Sequence, residues 1–170
     1  MTEPVTVFLS LGSNLGDPFF QVERGIDTMN YHPLISIRKV SPFYRTEPVE
    51  APGQAEYINC VVELSTSLDP QSLLEVCHDV EEQSGRIRGS LKNSPRTLDM
   101  DIIFYGGHLI KEESLTIPHP RYAQRRFVLE PLVDIAPDFI CPDSDLSTSE
   151  ALQRCEDFSR VELLEPEDIS

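Results

Sequence analysis

Two aspartates separated by one residue, Asp99 and Asp101, have the side-chain types and spacing that most directly suggest chemistry. They lie in 97–105, a β-rich run in which alternate residues point to the same side of a strand. The two carboxylates are therefore predicted to project together, and two like charges this close repel each other unless a cation sits between them. Because Mg²⁺ takes one or two carboxylates plus substrate phosphates, the pair predicts a magnesium–nucleotide site. The opposite side of the strand is predicted to face the core through Leu98, Met100, Ile102 and Phe104.

Positive charge is concentrated close to these aspartates, although the chain as a whole is strongly acidic. The net charge is -15, yet seven of the 14 Lys and Arg residues fall in two short segments that contain no acid. Guanidinium groups beside a metal ion suit phosphoryl transfer, because positioning and charge neutralisation supply most of that catalysis. The two segments indicate a site for a small polyanion; the alternative is a pair of solvated basic loops, with Asp99 and Asp101 as two solvated acids. The basic residues are Arg86, Arg88, Lys92 and Arg96, followed by Arg121, Arg125 and Arg126.

Composition argues against several other classes of protein. A net charge of -15 disfavours nonspecific binding to nucleic acid or to an anionic membrane. No apolar stretch approaches the length of a membrane span, and the N-terminus lacks the basic and apolar parts of a signal peptide. We expect a cytoplasmic protein whose four cysteines, none in a Cys-x-x-Cys pair, are reduced.

The familiar backbone cradles for phosphate do not occur in this sequence. It has no Gly-x-x-x-x-Gly-Lys-Ser/Thr motif, and the turn cluster Gly12-Ser-Asn-Leu-Gly16 has neither that lysine nor the dinucleotide-binding spacing. A bound nucleotide must therefore be held by side chains and metal.

A second strand, predicted at 57–66, divides its side chains in the same way. Tyr57 and Asn59 share one side, and the other side is apolar. Two strands that each present an apolar row and a polar row predict a site spread over one face of a sheet. Taken alone, an aromatic such as Tyr57 is more often a core residue, and the alternative for Asn59 is a hydrogen bond to neighbouring backbone.

Hydrophobic periodicity and turn residues predict the elements that position these groups. Strands are predicted at 5–11, 35–44, 57–66 and 97–105, with an interruption at Pro42, and a short returning strand at 108–110. Helices are predicted at 18–31, from Asp69-Pro70 to near Gly85, and at 126–135, with a loop at 112–125. The order β-α-β-β-α-β predicts a ferredoxin-like α+β fold: an antiparallel sheet with helices packed on one face, plus a C-terminal hairpin/helix extension. We expect one domain over residues 1–170, with 143–170 as an acidic extension that trails over the surface or adds one helix.

Seven short segments occur in a fixed order and spacing over residues 5 to about 142. They are Leu11-Gly-Ser-Asn-Leu-Gly-Asp, Ser41-Pro-Phe-Tyr-Arg-Thr-Glu-Pro, Tyr57-Ile-Asn59, Gly85-Arg-Ile-Arg88, Pro95-Arg-Thr-Leu-Asp-Met-Asp-Ile, Leu115-Thr-Ile-Pro-His-Pro-Arg and Arg126-Phe-Val-Leu-Glu-Pro-Leu. In this combination they resemble the 6-hydroxymethyl-7,8-dihydropterin pyrophosphokinase family, enzymes that prepare pterin for folate assembly. The resemblance implies transfer of a pyrophosphoryl group from ATP to the hydroxymethyl group of the pterin, with AMP as the second product. It also implies that ATP and the pterin are the partners; we expect a monomer that binds neither nucleic acid nor membrane.

The same resemblance implies the residues that bind ATP and metal. Asp99 and Asp101 are the implied ligands of two Mg²⁺ ions that bridge the ATP phosphates. Arg86 and Arg96 are the implied catalytic phosphate contacts. The other implied ATP contacts, of which the first three lie toward the ribose and adenine, are His78, Glu81, Thr116, Arg88, Lys92, Ile102, His119 and Arg125.

The pterin contacts implied by the resemblance combine aromatic stacking with a few hydrogen bonds, as suits a flat heterocycle. Tyr57 and Phe127 are expected to sandwich the ring. Asn59 and Thr46 are expected to bind its polar edge, together with the backbone of Glu47 and Val49. Taken alone, an aromatic such as Phe127 is more often a core residue, here of the last helix.

One segment departs from the family pattern. Many members have Trp-Gly before the proline at position 95, whereas this chain has Asn93-Ser94, so a tryptophan contact with ATP is absent. Lys92 stands for an arginine, which keeps the charge but loses the bidentate fork.

Three other functions are compatible with the predicted fold. A non-catalytic ferredoxin-like module that binds a nucleotide and regulates a partner does not require paired aspartates. A ferredoxin-like RNA binder would use sheet aromatics, but the Lys/Arg-Gly-Phe-type strand motif is absent and the net charge has the wrong sign. A hydrolase would need Asp99 and Asp101 as acid and base, whereas same-face neighbours beside arginines should both stay ionised.

Overall fold

The computed structural model describes residues 3–48, 53–85 and 98–165. The strands in these ranges are β1 (Val5–Ser13), β2 (Ile35–Val40), β3 (Tyr44–Thr46), β4 (Tyr57–Thr66), β5 (Asp99–Tyr105), β6 (Ile110–Lys111), β7 (Thr116–Ile117) and β8 (Val161–Leu163). The helices are α1 (Pro18–Tyr31), α2 (Pro70–Gln83), α3 (Arg126–Ile135) and α4 (Thr148–Arg154), with a 3-10 turn at Tyr122–Gln124. The predicted order β-α-β-β-α-β is confirmed up to Tyr105, with the second predicted strand divided into β2 and β3.

An antiparallel sheet forms the framework of the domain. Its strand order is β5-β1-β4-β3-β8, and β2 pairs with β4 in line with β3. The break between β2 and β3 falls at 41–43, as predicted, because Pro42 lacks the N–H group that a continuous ladder needs. The predicted returning strand at 108–110 is wrong: after the turn at Gly106, β6 begins at Ile110 and pairs with β7 in a separate two-stranded sheet.

One face of the sheet is covered by α1 and α2. Both helices begin in the same way, with an aspartate cap followed by proline: Asp17 accepts a 3.2 Å hydrogen bond from the Phe20 N–H and Asp69 a 2.8 Å bond from the Ser72 N–H. Their apolar faces and the inward side chains of β1, β4 and β5 form the first core. Its fully buried members include Leu9, Leu11, Val22, Met29, Leu64, Leu73 and Leu98.

The opposite face of the sheet carries a second core, under α3 and α4. A register shift between Phe8 and Leu9 brings Phe8 opposite Phe104, so both rings lie in this second core. The predicted placement of Phe104 beside Ile102 is therefore wrong, because a β-bulge adds a residue and reverses the alternation beyond it. The ferredoxin-like α+β class is confirmed, and the C-terminal helices add a layer that covers part of the second face.

The acidic C-terminal stretch forms more structure than one helix. Beyond α4, β8 pairs with β3, and the Leu164 N–H donates a 2.8 Å hydrogen bond to the Phe43 carbonyl. In the part of the chain that the structure describes, no helix combines the length and apolar character that crossing a membrane requires.

Candidate active site

The candidate site occupies the part of the second face next to the β1–α1 turn. Gly12 of β1 pairs with Asp99 of β5 on one side and with Asn59 of β4 on the other, and Asn59 pairs in turn with Tyr44 of β3. Residues directly opposite each other in neighbouring strands point to the same face of a sheet. Asp99 and Asn59, predicted for the metal and for the pterin, therefore lie in one cross-strand row with only a glycine between them.

The paired aspartates are on the face that the sequence predicts. Asp99 is half-buried and Asp101 is exposed, whereas Met100 between them is buried in the first core. Asp101 pairs with Ser10, so the two carboxylates stand beside the small residues Gly12 and Ser10 of β1.

The two carboxylates of Asp99 and Asp101 fit a magnesium ion that takes its other ligands from substrate and water. They do not provide enough ligands for a metal held entirely by protein. Within residues 3–48, 53–85 and 98–165, no cluster of three or more His, Cys, Asp or Glu side chains is placed to hold a metal. Magnesium is commonly bound by one or two carboxylates, with phosphate oxygens and water as its other ligands. Asp99 and Asp101 therefore suit an ion that arrives with a nucleotide.

Glu81 of α2 is buried behind the aspartates rather than at the surface. Its carboxylate accepts a 2.9 Å hydrogen bond from the Met100 N–H, in the backbone between Asp99 and Asp101. Burial raises the pKa of the neighbouring Cys77 thiol, and the negative charges of Glu81 and Asp101 raise it further, so this thiol stays protonated. Glu81 thus holds the start of β5 in place.

The predicted pterin contacts Asn59 and Thr46 are preorganised by each other. Both side chains are buried, and the Asn59 amide donates a 2.6 Å hydrogen bond to the Thr46 hydroxyl. Tyr57 pairs with Thr46 across the β3–β4 ladder and is half-buried. The Asn59 amide is therefore fixed in orientation and has hydrogen-bonding capacity beyond the one bond to Thr46.

Phe127 lies in the first turn of α3 and is half-buried. Its ring packs against the second core, and the Arg125 guanidinium lies 5.6 Å from the ring centroid. The helix is fastened to the sheet by a hydrogen bond from the Tyr44 hydroxyl to the Asp134 carboxylate. Phe127 is thus held firmly while part of its ring stays accessible, as a stacking residue requires.

The remaining predicted ATP contacts are spread over α2, β5 and the 116–125 segment. His78 is half-buried one turn before Glu81, and Thr116 is half-buried in β7. His119 is fixed on both sides: its N–H donates to the Ile103 carbonyl at 3.0 Å, and its Nδ1 accepts from the Arg121 N–H at 3.1 Å. The Ile102 side chain is buried in the first core, so only its backbone is placed to contact a ligand.

Several of the predicted site residues lie outside the described ranges. These are Arg86, Arg88, Lys92 and Arg96 of the first basic segment, and Val49 of the pterin set. In the second basic segment, Arg126 is engaged in structural contacts: its guanidinium donates to Glu130 at 3.1 Å and to the Ser159 carbonyl at 3.2 Å.

Two parts of the site were not predicted from the sequence. Asn14 is buried in the β1–α1 turn, where its amide donates to the Gln54 side chain at 3.2 Å and to the Ala55 carbonyl at 3.3 Å. A polar residue inside a Gly-rich turn is the only sequence signal for this role. The second part is the C-terminal segment around Arg160, which contacts Glu47 and Glu56 and has no sequence signal at all.

Comparison with known proteins decides the family. A model of the 7,8-dihydro-6-hydroxymethylpterin-pyrophosphokinase (HPPK) family matches residues 8–137, most of the chain. The chain belongs to this family. The predicted resemblance is thereby confirmed, and the match contains every predicted site residue from Thr46 to Phe127.

Relatives of this HPPK chain differ greatly in length. It is 39% identical over 128 residues to the 2-amino-4-hydroxy-6-hydroxymethyldihydropteridine pyrophosphokinase of Bacillus subtilis, covering 75% of this chain and 76% of that protein. The protein of that name from Haemophilus influenzae is 34% identical over 159 residues, or 94% of this chain and 98% of the other. The folic acid synthesis protein fol1 of Schizosaccharomyces pombe is 37% identical over 153 residues, but this chain covers only 21% of its length.

Solved structures agree with the fold. The crystal structure of Plasmodium falciparum HPPK-DHPS with pteroate superposes with a TM-score of 0.73 at 14% identity, covering 91% of this chain and 43% of that one. At this identity the likeness concerns the fold alone.

Proposed function

We propose that this protein transfers the pyrophosphoryl group of ATP to the hydroxymethyl group of 6-hydroxymethyl-7,8-dihydropterin, giving AMP and the pterin diphosphate of folate biosynthesis. The observation that carries the proposal is the row in which Asp99 and Asn59 flank Gly12, in a chain of the HPPK family. This row supports a site for magnesium and phosphate beside a site for a flat, polar-edged ring.

Two of the proposed pterin contacts, Asn59 and Thr46, are fixed by the fold before the ring arrives. Asn59 and Thr46 bind its polar edge, and the backbone of Glu47 and Val49 adds hydrogen bonds. Tyr57 and Phe127 stack on the two faces of the ring. The Asn59–Thr46 hydrogen bond of 2.6 Å supports this assignment, because a preoriented amide loses little freedom on binding.

ATP is held at the β5 edge of the sheet, beside the pterin site. Asp99 and Asp101 are the proposed ligands of two Mg²⁺ ions, which supply charge neutralisation at the phosphates. Arg86 and Arg96 are the proposed catalytic phosphate contacts. Other proposed contacts are His78, Glu81, Arg88, Lys92, Ile102, Thr116, His119 and Arg125.

The transfer itself needs alignment more than covalent participation by the protein. The pterin hydroxyl oxygen bonds to the β-phosphorus of ATP while the bond from that phosphorus to the α–β bridging oxygen breaks. AMP leaves with the bridging oxygen, and the hydroxyl proton is released to solvent. The task of the chain is to hold the hydroxyl in line with the breaking bond, which is favoured by the placement of Asn59 and Asp99 in one cross-strand row on either side of Gly12.

The proposal covers residues 1–170 as one catalytic domain that acts as a monomer in the cytoplasm. That compartment supplies ATP and keeps thiols reduced, which agrees with the four buried, free cysteines. The C-terminal α4 and β8 pack on α3 and β3, so the domain continues beyond residue 137, where the family match ends.

Consumption of ATP with a matched pair of pterins tests the proposal. With 6-hydroxymethyl-7,8-dihydropterin and Mg²⁺, we expect ATP consumption that stops when the pterin is exhausted. The 6-methyl analogue lacks only the nucleophilic hydroxyl and should bind without supporting turnover. ATP consumption that is equal with both pterins, or that needs neither, would contradict the proposed function.

A further inference from the structure

The segment after α4 returns along the sheet and touches both sides of the proposed pterin site. On one side, the Asp157 carboxylate accepts a 2.9 Å hydrogen bond from the Arg126 N–H, and the Ser159 carbonyl accepts a 3.2 Å bond from the Arg126 guanidinium. Arg126 opens α3 and directly precedes Phe127. Residues 157–159 therefore fix the helix start that carries one of the two ring-stacking residues.

On the other side, Arg160 reaches both ends of the connection between β3 and β4. The backbone N–H of Arg160 donates a 2.6 Å hydrogen bond to the Glu47 carboxylate. The backbone N–H of Glu47 donates in turn to the backbone carbonyl of Arg160 at 3.4 Å. The Arg160 guanidinium forms an ion pair with Glu56. Glu47 directly follows Thr46, and Glu56 directly precedes Tyr57.

We propose that Arg160 is a positioning residue for the pterin site, tying Glu47 to Glu56 so that Thr46 and Tyr57 keep the spacing that the ring requires. The inference rests on the proposed function and extends it to a segment that has no part in the family's matched region, which ends at residue 137. The backbone of Arg160 holds Glu47 and its side chain pairs with Glu56, so Arg160 acts through these two glutamates and not on a substrate.

The proposed role depends on a bridge between the two ends of the β3–β4 connection, Glu47 and Glu56, and not on one strong bond. The Arg160 and Glu56 side chains are 51% and 42% exposed, so the ion pair by itself contributes little to global stability. The ion pair joins the Glu56 end of the β3–β4 connection to β8, which already pairs with β3 through Thr46 and Val161. Its loss should therefore change local order at the site much more than the overall fold.

Binding measurements on Arg160→Met test the role directly. We expect the dissociation constant for 6-hydroxymethyl-7,8-dihydropterin, measured by calorimetry with Mg²⁺ and α,β-methylene-ATP present, to rise roughly two- to fivefold. The affinity for the ATP analogue and the melting temperature should not change. Arg160→Lys should retain part of the affinity, since it keeps the charge. An unchanged pterin affinity, or an equal loss of both ligands, would overturn the role.

Two further variants sharpen the test. Among the described residues, Glu162 supplies a second carboxylate near the guanidinium, 3.6 Å from Arg160 Nε and outside the β3–β4 connection, and Glu162→Gln should leave pterin binding unchanged. Glu56→Gln should reproduce the loss seen in Arg160→Met, and the double variant should be no worse than either. Additive losses in the double variant would show that Arg160 does not act through Glu56.

Amide exchange in the protein without ligands separates this inference from the proposed function. Arg160→Met removes the side-chain bridge to Glu56 but keeps the backbone hydrogen bonds to Glu47, so it should speed hydrogen–deuterium exchange at the amides of Glu56 and Tyr57. Unchanged exchange, together with normal pterin binding by the wild-type protein, would overturn the positioning role alone. Failure of the wild-type protein to bind the pterin would overturn the proposed function, and the role of Arg160 with it.

Discussion

Gly12 lies directly against Asn59: a Cβ atom added at Gly12 would overlap the Asn59 side-chain oxygen and approach its Cγ to 3.3 Å. The glycine in the Gly12-Ser-Asn motif is therefore required by close approach. The Asn59 side chain cannot move away from a new methyl group without a cost, because it is buried and its amide is hydrogen-bonded to Thr46. The Gly12-Ser-Asn turn, which lacks the lysine and the spacing of a phosphate-binding loop, thus shapes the proposed pterin site.

Gly12→Ala should weaken pterin binding by at least about tenfold, close to 1.4 kcal/mol, because the new methyl group displaces Asn59 from Thr46. Affinity for an ATP analogue should change far less. Gly107→Ala is a suitable control, since a Cβ there meets nothing within 4 Å. Calorimetry measures the affinity for each ligand. Normal pterin affinity in Gly12→Ala would show that Asn59 does not bind the pterin.

Asp99→Ala and Asp101→Ala should each lower turnover by at least about a hundredfold, as loss of a metal ligand removes several kcal/mol of transition-state stabilisation. Because both side chains face away from the first core, the melting temperature should stay near that of the wild type. Asp27→Ala, an exposed acid on α1, is the matched control and should retain full activity. Turnover close to normal in either of the first two variants would contradict the metal assignment.

Phe127→Ala should raise the pterin dissociation constant about tenfold or more while ATP binding changes little, because the variant loses stacking and buried area on one ring face. The melting temperature should fall modestly, as the ring is only half-buried. Phe139→Ala provides the contrast: that ring lies 5.0 Å from Phe8 and 4.9 Å from Phe104 in the second core. It should lower the melting temperature without changing relative affinities, and the same pattern in Phe127→Ala would make Phe127 a core residue.

Truncation after Glu165 should leave activity and melting temperature unchanged, because the strand β8 and the Leu164–Phe43 hydrogen bond remain. Truncation after Phe158 removes Arg160 and β8, and should lower both pterin affinity and stability. Thermal melts and the activity assay on the two proteins test this. Insoluble or inactive protein from the shorter deletion, after Glu165, would show that the last five residues pack on the domain.

Local signals in the sequence predicted most of the fold that supports the site. The strand Tyr57–Thr66 follows from its alternation and α2 from its Asp69-Pro70 start, because both patterns act over a few neighbouring residues. Phe104 was placed wrongly since a bulge depends on the partner strand, which periodicity in one strand cannot reveal.

The sequence predicted which site residues lie together when they belong to one strand and share a face. It did not predict contacts between segments that are far apart along the chain. Asp99 with Asp101 and Tyr57 with Asn59 are of the first kind. Arg160 is of the second, since 104 positions separate it from Glu56 along the chain. Glu81 shows a third case: its link to the site was predicted from the resemblance, but its bond to the Met100 N–H needs the packed helix.

Identification of the products formed from ATP and 6-hydroxymethyl-7,8-dihydropterin tests the central claim most directly. The wild-type protein with Mg²⁺ should yield AMP and the pterin diphosphate in equal amounts by chromatography and mass spectrometry, and removal of Mg²⁺ with a chelator should stop both. Asp101→Ala, run in parallel, should form neither product above background. ADP with a pterin monophosphate, or AMP without a phosphorylated pterin, would contradict pyrophosphoryl transfer.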